Sequence, residues 1–294
     1  MISVIIPFYN EADSFPTLIK NLIKVVGKIN EPYEIVAVDD GSTDNPPIYK
    51  LKIPCLKITK HRKRFGKGRA LQTGIEHATG DIIVFMDGDL QDDPQNLPEF
   101  YEKIKKGSDF VNGARVNRQD NFLVKTYSGL AKKFLKIFLN SPFSDINCGY
   151  KMFRKEILEE IPLYGNNFRF LPLAAYYHGF TVTEIPVINH QRLYGRSKFG
   201  PGKLVGGIFD TFTAYFTYRF SERPLHFFGT IGGILFLTGF LLTLYLAIER
   251  IFFNMLLYRR PALLLGVLLI IVGLQIVMTG VIGELVVYLN KKKI

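Results

Sequence analysis

The chain has 294 residues, a formal net charge of +11, 14% aromatic residues, no Trp and two cysteines. That length holds one large domain, or a domain with an appendage, and Cys55 and Cys148 have neither a metal-ligand spacing nor a disulfide framework, so two reduced thiols are expected. The basic balance admits nucleic acid, an anionic membrane or a phosphorylated substrate as partner, and nucleic acid is set aside because no helix-turn-helix, zinc-finger or RNA-binding signature accompanies it.

The opening, MISVIIPFYNE, has no basic n-region and no cleavage motif, so it is expected to be a first strand, Ser3–Pro7, and not a signal peptide. Ser14–Gly27 is predicted as an amphipathic helix: Phe15, Leu18, Ile19, Leu22, Ile23 and Val26 recur at steps of three and four, and Gly27 is placed to end it. Glu34–Val38 is predicted as the second strand, running into Asp39-Asp40-Gly41-Ser42, and Leu56–Thr59 as the third. Between them Pro46-Pro47 erodes any helix, because proline has no place in a helix interior. A helix is predicted over Gly68–Ala78, and Ile82–Met86 is an apolar run of the kind a strand buried on both faces shows. A further strand is predicted at Phe110–Asn112. Alternation of this kind implies an α/β fold, a mostly parallel sheet covered by helices.

In such sheets ligands sit outside the carboxyl ends of the strands, and there the notable polar residues fall. The first strand ends at Pro7-Phe8-Tyr9-Asn10-Glu11, the second at Asp39-Asp40, the central one at Asp87-Gly88-Asp89-Leu90-Gln91. Two carboxylates one residue apart repel each other unless a cation lies between them. Oxygen-only ligands favour Mg²⁺ or Mn²⁺, and such metals usually carry a substrate phosphate as well.

The last third of the chain changes character. His226–Ile248 contains no Asp, Glu, Lys or Arg; at 1.5 Å per residue it spans roughly 34 Å, enough for a hydrocarbon core of about 30 Å. Ala262–Tyr288 spans roughly 40 Å by the same rise, and its one charge, Glu284, lies within reach of the head-group region. The linker Glu249–Pro261 is short, so a hairpin with both ends on one side is expected. The organisation expected is thus a soluble domain over 1–202, an amphipathic juxtamembrane segment over 203–223, a transmembrane hairpin over 224–290 with helices at about 226–248 and 262–289, and a basic tail over 291–294. The segment 203–223 reads either as a helix in the membrane interface or as one packed on the domain. Lys291-Lys292-Lys293, Lys198, Lys203, Arg219 and Arg223 are juxtamembrane charges that attract anionic lipids. The positive-inside rule then puts both termini and the large domain in the cytoplasm. The sequence leaves open whether the chain forms a homo-oligomer.

VIIPFYNE, VDDGSTD, GKGRAL, FMDGDLQDDP, CGYK and HQRLYGRSKFG occur in this order. Together they resemble the family 2 glycosyltransferases of the GT-A fold, in particular the polyprenyl-phosphate sugar transferases typified by dolichol-phosphate mannose synthase. The resemblance covers residues 1 to about 203, and the hairpin is similar to that of the two-helix members. It implies transfer of a sugar from a nucleotide-sugar donor such as GDP-mannose or UDP-glucose to a polyprenyl phosphate acceptor, with a Mg²⁺ or Mn²⁺ cofactor and inversion at the anomeric carbon.

Carried over residue by residue, the resemblance makes Asp87, Asp89 and Gln91 the metal ligands, with Asp89 catalytic. It makes Pro7, Tyr9, Glu11, Asp39, Asp87, Gly88 and Lys67 the donor pocket. It makes Arg115, Arg118, Lys125, Ser128, Arg192, Ser197 and Lys198 the acceptor-phosphate set, with Arg115 and Arg192 catalytic. Arginine's planar fork suits a phosphate better than lysine does. Lys63-Arg64-Phe65-Gly66-Lys67-Gly68 resembles the family's glycine-rich basic segment but lacks the asparagine usual before the first glycine. Cys148-Gly149-Tyr150-Lys151 is a family marker that reads as structural. Two other readings stand beside this one: transfer to a lipid hydroxyl, which needs a base near the sugar, and a non-catalytic membrane scaffold. A transporter is disfavoured, since neither apolar segment holds a midplane charge.

Overall fold

The structure is a computed structural model that describes residues 1–44, 46–50, 53–116, 129, 136, 141–190, 201–220, 222–253 and 261–291. It divides into two compact units, Met1–Ala214 and Tyr215–Ile294, which are described separately.

The first unit is built on a seven-stranded sheet. Its strands are β1 (Ile2–Phe8), β2 (Tyr33–Asp39), β3 (Leu56–Lys60), β4 (Ile82–Phe85), β5 (Phe110–Val116), β6 (Lys151–Arg154) and β7 (Val182–Ile188), in the spatial order β3-β2-β1-β4-β6-β5-β7. β1 pairs in parallel with both β2 and β4, and β2 with β3. β6 runs antiparallel to β4 and to β5, and β5 is parallel to β7. Since β6 opposes both its neighbours, β4 and β5 point the same way and their carboxyl ends share one edge.

Helices cover both faces, as the run of buried strand residues requires. On one face Ile2, Val4, Ile6 and Phe8 of β1 join Phe15, Leu18, Ile19 and Leu22 of α1 (Phe15–Val26) and Phe100 and Ile104 of α3 (Leu97–Lys105) in a single core. Ile5 points the other way and meets Gly74 of α2 (Lys67–His77), where a Cβ would lie 2.2 Å from the Ile5 side chain. Among the described residues around Pro46-Pro47 there is a 3-10 turn, Pro47–Lys50. The expected boundaries for β1 to β4 hold to within two residues, while β6 and β7 were not anticipated.

The helix Pro201–Phe220 starts in the first unit and ends in the second. Its Asp210 accepts from Asn166 Nδ2 at 3.3 Å and pairs with Arg169 Nη1 at 3.3 Å.

In the second unit, two helices, Pro224–Phe253 and Pro261–Lys291, outrun the expected segments at both ends. Each is long and apolar enough to cross a membrane. They pack antiparallel through glycines: a Cβ on Gly232 would stand 2.5 Å from the Gly273 carbonyl, and one on Gly239 2.6 Å from that of Gly266. Contacts that short admit no side chain, so the backbones touch. Large apolar side chains such as Leu237, Leu241, Leu264 and Leu285 face outward. Glu284 turns inward instead, and its Oε2 accepts the Leu225 N–H at 3.2 Å, which places a carboxylate on the positive N-terminal end of the first helix.

Candidate active site

Because β2, β1 and β4 are neighbours, the segments that leave their carboxyl ends share one edge of the sheet. The first two segments are zipped together. The Asn10 N–H donates to Ser42 Oγ at 2.9 Å, the Thr43 N–H donates to Asn10 Oδ1 at 2.9 Å, and the Ala12 N–H donates to Asp44 Oδ2 at 2.8 Å. Asn10 takes φ 53°, a left-handed conformation that Asn tolerates better than most residues.

A cleft opens on this edge. It is lined by Pro7, Phe8, Tyr9 and Glu11 after β1, by Asp40 after β2, by Arg64 and Lys67 on the way into α2, and by Asp87, Gly88 and Asp89 after β4. The sequence-derived donor residues Pro7, Tyr9, Glu11, Lys67, Asp87 and Gly88 therefore meet in one place, with Asp89 beside them. Glu11 Oε2 accepts from Ser14 Oγ at 3.0 Å, and the same hydroxyl lies 3.3 Å from the Gly88 carbonyl, so α1 braces the turn after β4. Gly88 has no alternative there: a Cβ would lie 2.9 Å from Phe8 Cβ.

Asp39 is not among the residues that line the cleft. It is fully buried beneath the cleft, where Oδ1 accepts the Ser42 N–H at 2.6 Å and Oδ2 accepts the Tyr49 hydroxyl. Burial and the facing Asp39 carboxylate push the Tyr49 phenol above its ordinary range. The neighbouring Asp40 lines the cleft instead, and it acts as a staple. Oδ1 accepts the Phe65 N–H at 2.8 Å and lies 2.9 Å from His61 Nδ1, while Oδ2 accepts the Gly66 N–H at 2.8 Å. The loop so held sets the Arg64 guanidinium 4.3 Å from the centre of the Tyr9 ring, a cation–π distance. The sequence reading named Asp40 and Arg64 within their segments but gave neither a place in the donor pocket. β2 is buried on both faces, so no alternation showed which acid of the pair turns outward.

The turn after β4 concentrates negative charge. Asp87 is ion-paired with Lys67, Asp89 Oδ1 accepts the Gln91 N–H at 3.2 Å, and Leu90 between them takes φ 62°. Asp92 is buried behind them, and its Oδ2 accepts the Asp87 N–H at 3.2 Å. Burial, with Asp87 and then Asp89 nearby, pushes the Asp92 carboxyl up to about 7. An excess of carboxylate of this kind suits a hard divalent cation. Among the described residues no three His, Cys, Asp or Glu side chains form a complete metal cage. Mg²⁺ needs none, since it is typically held by one or two carboxylates with the remaining positions filled by substrate phosphate and water. Gln91 does not line the cleft. Its Nε2 donates to the His190 carbonyl at 3.3 Å and its backbone carbonyl accepts the His190 N–H at 2.9 Å, so the turn is docked on the segment that follows β7.

Arg115 lies near the carboxyl end of β5, on the same edge as Asp87 and Asp89. Its Nε and Nη2 donate to Asp145 Oδ2 and Oδ1. Burial works against the charge, and Asp145 overrides it and raises the guanidinium above its ordinary value. The loop carrying Asp145 is itself fastened: Glu184 accepts the N–H groups of Ser144 and Asp145 at 2.7 and 3.2 Å and Asn112 Nδ2 at 3.0 Å. Beneath it the fully buried Lys151 donates to Asn112 Oδ1 at 2.7 Å and to the Ile146 carbonyl at 3.0 Å, and burial draws its ammonium down to about 8. Arg118, Lys125, Ser128, Arg192, Ser197 and Lys198 lie outside the described residues.

Residues 3–162 match the family model described as glycosyl transferase family 2. Over 294 aligned residues the chain is 31% identical to a dodecaprenyl-phosphate galacturonate synthase of Rhizobium johnstonii, with 97% of this chain and 87% of that protein covered. It is also 31% identical to an undecaprenyl-phosphate 4-deoxy-4-formamido-L-arabinose transferase of Pectobacterium atrosepticum, covering 96% of this chain and 87% of the other. Among solved structures, a glucosyl-3-phosphoglycerate synthase of Mycobacterium tuberculosis in complex with Mn²⁺, UDP and phosphoglyceric acid aligns with a TM-score of 0.57 at 19% identity, covering 74% of this chain and 78% of that one. That last likeness is one of fold.

Proposed function

The chain belongs to glycosyl transferase family 2 and is a glycosyltransferase of GT-A fold, and from that premise we propose that it transfers a sugar from a nucleotide-sugar to the phosphate of a polyprenol at a membrane surface, with inversion at the anomeric carbon. One observation carries the reading: a carboxylate-rich donor cleft and Arg115 share a sheet edge in a chain that ends in two apolar helices of membrane-spanning length. The names of the relatives agree with it, one acting on dodecaprenyl phosphate and one on undecaprenyl phosphate.

In this proposal the Tyr9 and Arg64 side of the cleft takes the nucleoside, shaped from below by Asp39, while Pro7 and Glu11 line the wall next to the turn after β4. Lys67 and Arg64 supply positive charge for the diphosphate. Asp87 and Asp89, with Gln91 through its amide oxygen, would hold a Mg²⁺ or Mn²⁺ ion. Such an ion supplies Lewis-acid neutralisation of the charge that develops as the nucleoside diphosphate departs. Arg115, together with Arg118, Lys125, Ser128, Arg192, Ser197 and Lys198, would bind the acceptor phosphate. A phosphomonoester has a second pKa near 6, so the acceptor is already a nucleophile at neutral pH and needs no strong base. What the chain contributes is alignment and electrostatics.

The two apolar helices would form a membrane hairpin, with the catalytic domain and both termini in the cytoplasm and the flanking Lys and Arg on anionic lipid. The polyprenol tail would then lie in the bilayer, with its phosphate at head-group level.

The test is to incubate membranes containing the protein with a panel of nucleotide-sugars, undecaprenyl phosphate and Mg²⁺ or Mn²⁺. A sugar-phosphate lipid with one donor is the expected product. A glycosylated lipid hydroxyl, or no lipid product with any donor, would overturn the proposal.

A further inference from the structure

Lys67 is the first residue of α2, and its ammonium sits where three separate parts of the first unit meet. It is ion-paired with Asp87 after β4, and it lies 5.2 Å from the centre of the Phe168 ring. Gly149, just ahead of β6, closes the third side: a Cβ there would stand 2.8 Å from Asp87 Oδ2 and 3.1 Å from Lys67 Nζ. A side chain at 149 would press on both members of the pair, so the glycine of the CGYK segment leaves room for this contact. The backbone leading into Lys67 is fixed as well, because the Phe65 and Gly66 N–H groups are both bonded to Asp40. The ammonium is therefore held by construction against the first carboxylate of the Asp87-Gly88-Asp89 turn.

A Mg²⁺ ion binds oxygen at about 2.0–2.1 Å. A divalent cation on Asp87 and an ammonium on the same carboxylate would thus be close neighbours of like charge, and like charges that near oppose one another. We propose that Lys67 is an exchangeable counter-ion: a divalent cation and the Lys67 ammonium compete for Asp87, and the diphosphate of the donor resolves the competition by giving the displaced ammonium a second anionic partner. Metal alone is then held weakly, and metal with diphosphate is held strongly. Lys67 is on this account a positioning residue that couples the two. The inference rests on the reading of Asp87 as a metal ligand.

The experiment is a Mn²⁺ titration of the full-length protein in detergent, followed by electron paramagnetic resonance, for wild type, Lys67→Met, Lys67→Arg and Asp87→Asn. With Mn²⁺ alone, Lys67→Met should bind about tenfold tighter than wild type, the worth of roughly one pK unit for a neighbouring charge, and Lys67→Arg should stay near wild type. With UDP or GDP added, whichever the wild type binds, that advantage should vanish. If Asp87→Asn abolishes Mn²⁺ binding but Lys67→Met gains nothing over wild type, the exchange is wrong and the metal site stands. Mn²⁺ binding that ignores Asp87→Asn would remove the metal reading and the exchange with it.

Discussion

Arg115 and Asp145 meet as a two-pronged ion pair, Nε to Oδ2 at 2.6 Å and Nη2 to Oδ1 at 2.9 Å, with only 17% and 10% of the two side chains exposed. Asp145 therefore fixes the guanidinium that the proposed acceptor phosphate would meet. Asp145→Ala leaves a largely buried guanidinium without its partner and should destabilise the first unit by about 3 kcal/mol, read by thermal unfolding. Arg115→Ala should raise KM for the polyprenyl phosphate more than KM for the donor. An unchanged acceptor KM would take Arg115 out of the acceptor site.

Asp89→Asn keeps the shape of the turn and removes a charge. Transfer should fall by about three orders of magnitude, the upper range for losing one preorganised electrostatic contact, while the unfolding temperature stays within a few degrees of wild type. Full activity of wild type in EDTA would contradict the role given to Asp87 and Asp89.

The two thiols should react differently. Cys148 is buried, and burial together with Asp92 pushes its thiol up to about 12, whereas Cys55 is partly exposed. Iodoacetamide at pH 8 attacks thiolate, so the native protein should take up one label and the denatured protein two. Equal rates at both sites would show that the segment before β6 opens readily.

These contrasts also mark what could be read from the sequence. The strands β1, β2 and β4 and the apolar helices announce themselves as uninterrupted apolar runs, and the acids at the strand ends follow from them. β6 gave no such sign: it has four residues and starts with Lys151, whose burial makes sense only beside Asn112, 39 residues earlier in the chain. β7 is buried at only two of its seven positions and mixes Thr and Glu with its aliphatics. The choice between Asp39 and Asp40 was hidden because a strand buried on both faces has no period-two signal. Arg64 sits in a loop, where periodicity says nothing, and its place over Tyr9 comes from the bonds that Asp40 makes to the same loop.

Glu34 should govern the acid limit of the first unit. Burial alone would raise its carboxyl, but Lys57, Ser3 and Thr79 outweigh that and draw it from 4.5 down to about 2. Lys57 Nζ lies 2.6 Å from Oε2, and Oε1 accepts from Ser3 Oγ at 2.6 Å and from the Thr79 N–H at 2.6 Å. A depressed carboxylate contributes stability that is present above pH 4.5 and is lost as pH falls from 4.5 towards 2. Glu34→Gln should cost about 2 kcal/mol at pH 7, and its deficit against wild type should shrink across that window in a pH series of thermal unfolding. A deficit that does not change with pH would mean that Glu34 acts through packing alone.

Gly273→Leu tests the helix pair. A Cβ at 273 would lie 2.5 Å from the Phe236 backbone nitrogen, so the variant must separate the helices. A loss of about 1–3 kcal/mol is expected, seen as earlier unfolding in detergent. Leu268→Ala, on an exposed position of the same helix, should leave the unfolding temperature near wild type.

The spacing of those glycines has a consequence for movement. Gly232 and Gly239 on one helix, and Gly266, Gly273 and Gly280 on the other, each recur every seventh residue. A spacing of seven falls short of two full α-helical turns by about 20°, close enough to keep these glycines on one stripe of each helix. Where backbones touch along such stripes, a shift of one helix past the other would bring its flanking side chains against the partner's backbone. Within the second unit the pair is therefore fitted in one register, with Gly232 against Gly273 and Gly239 against Gly266.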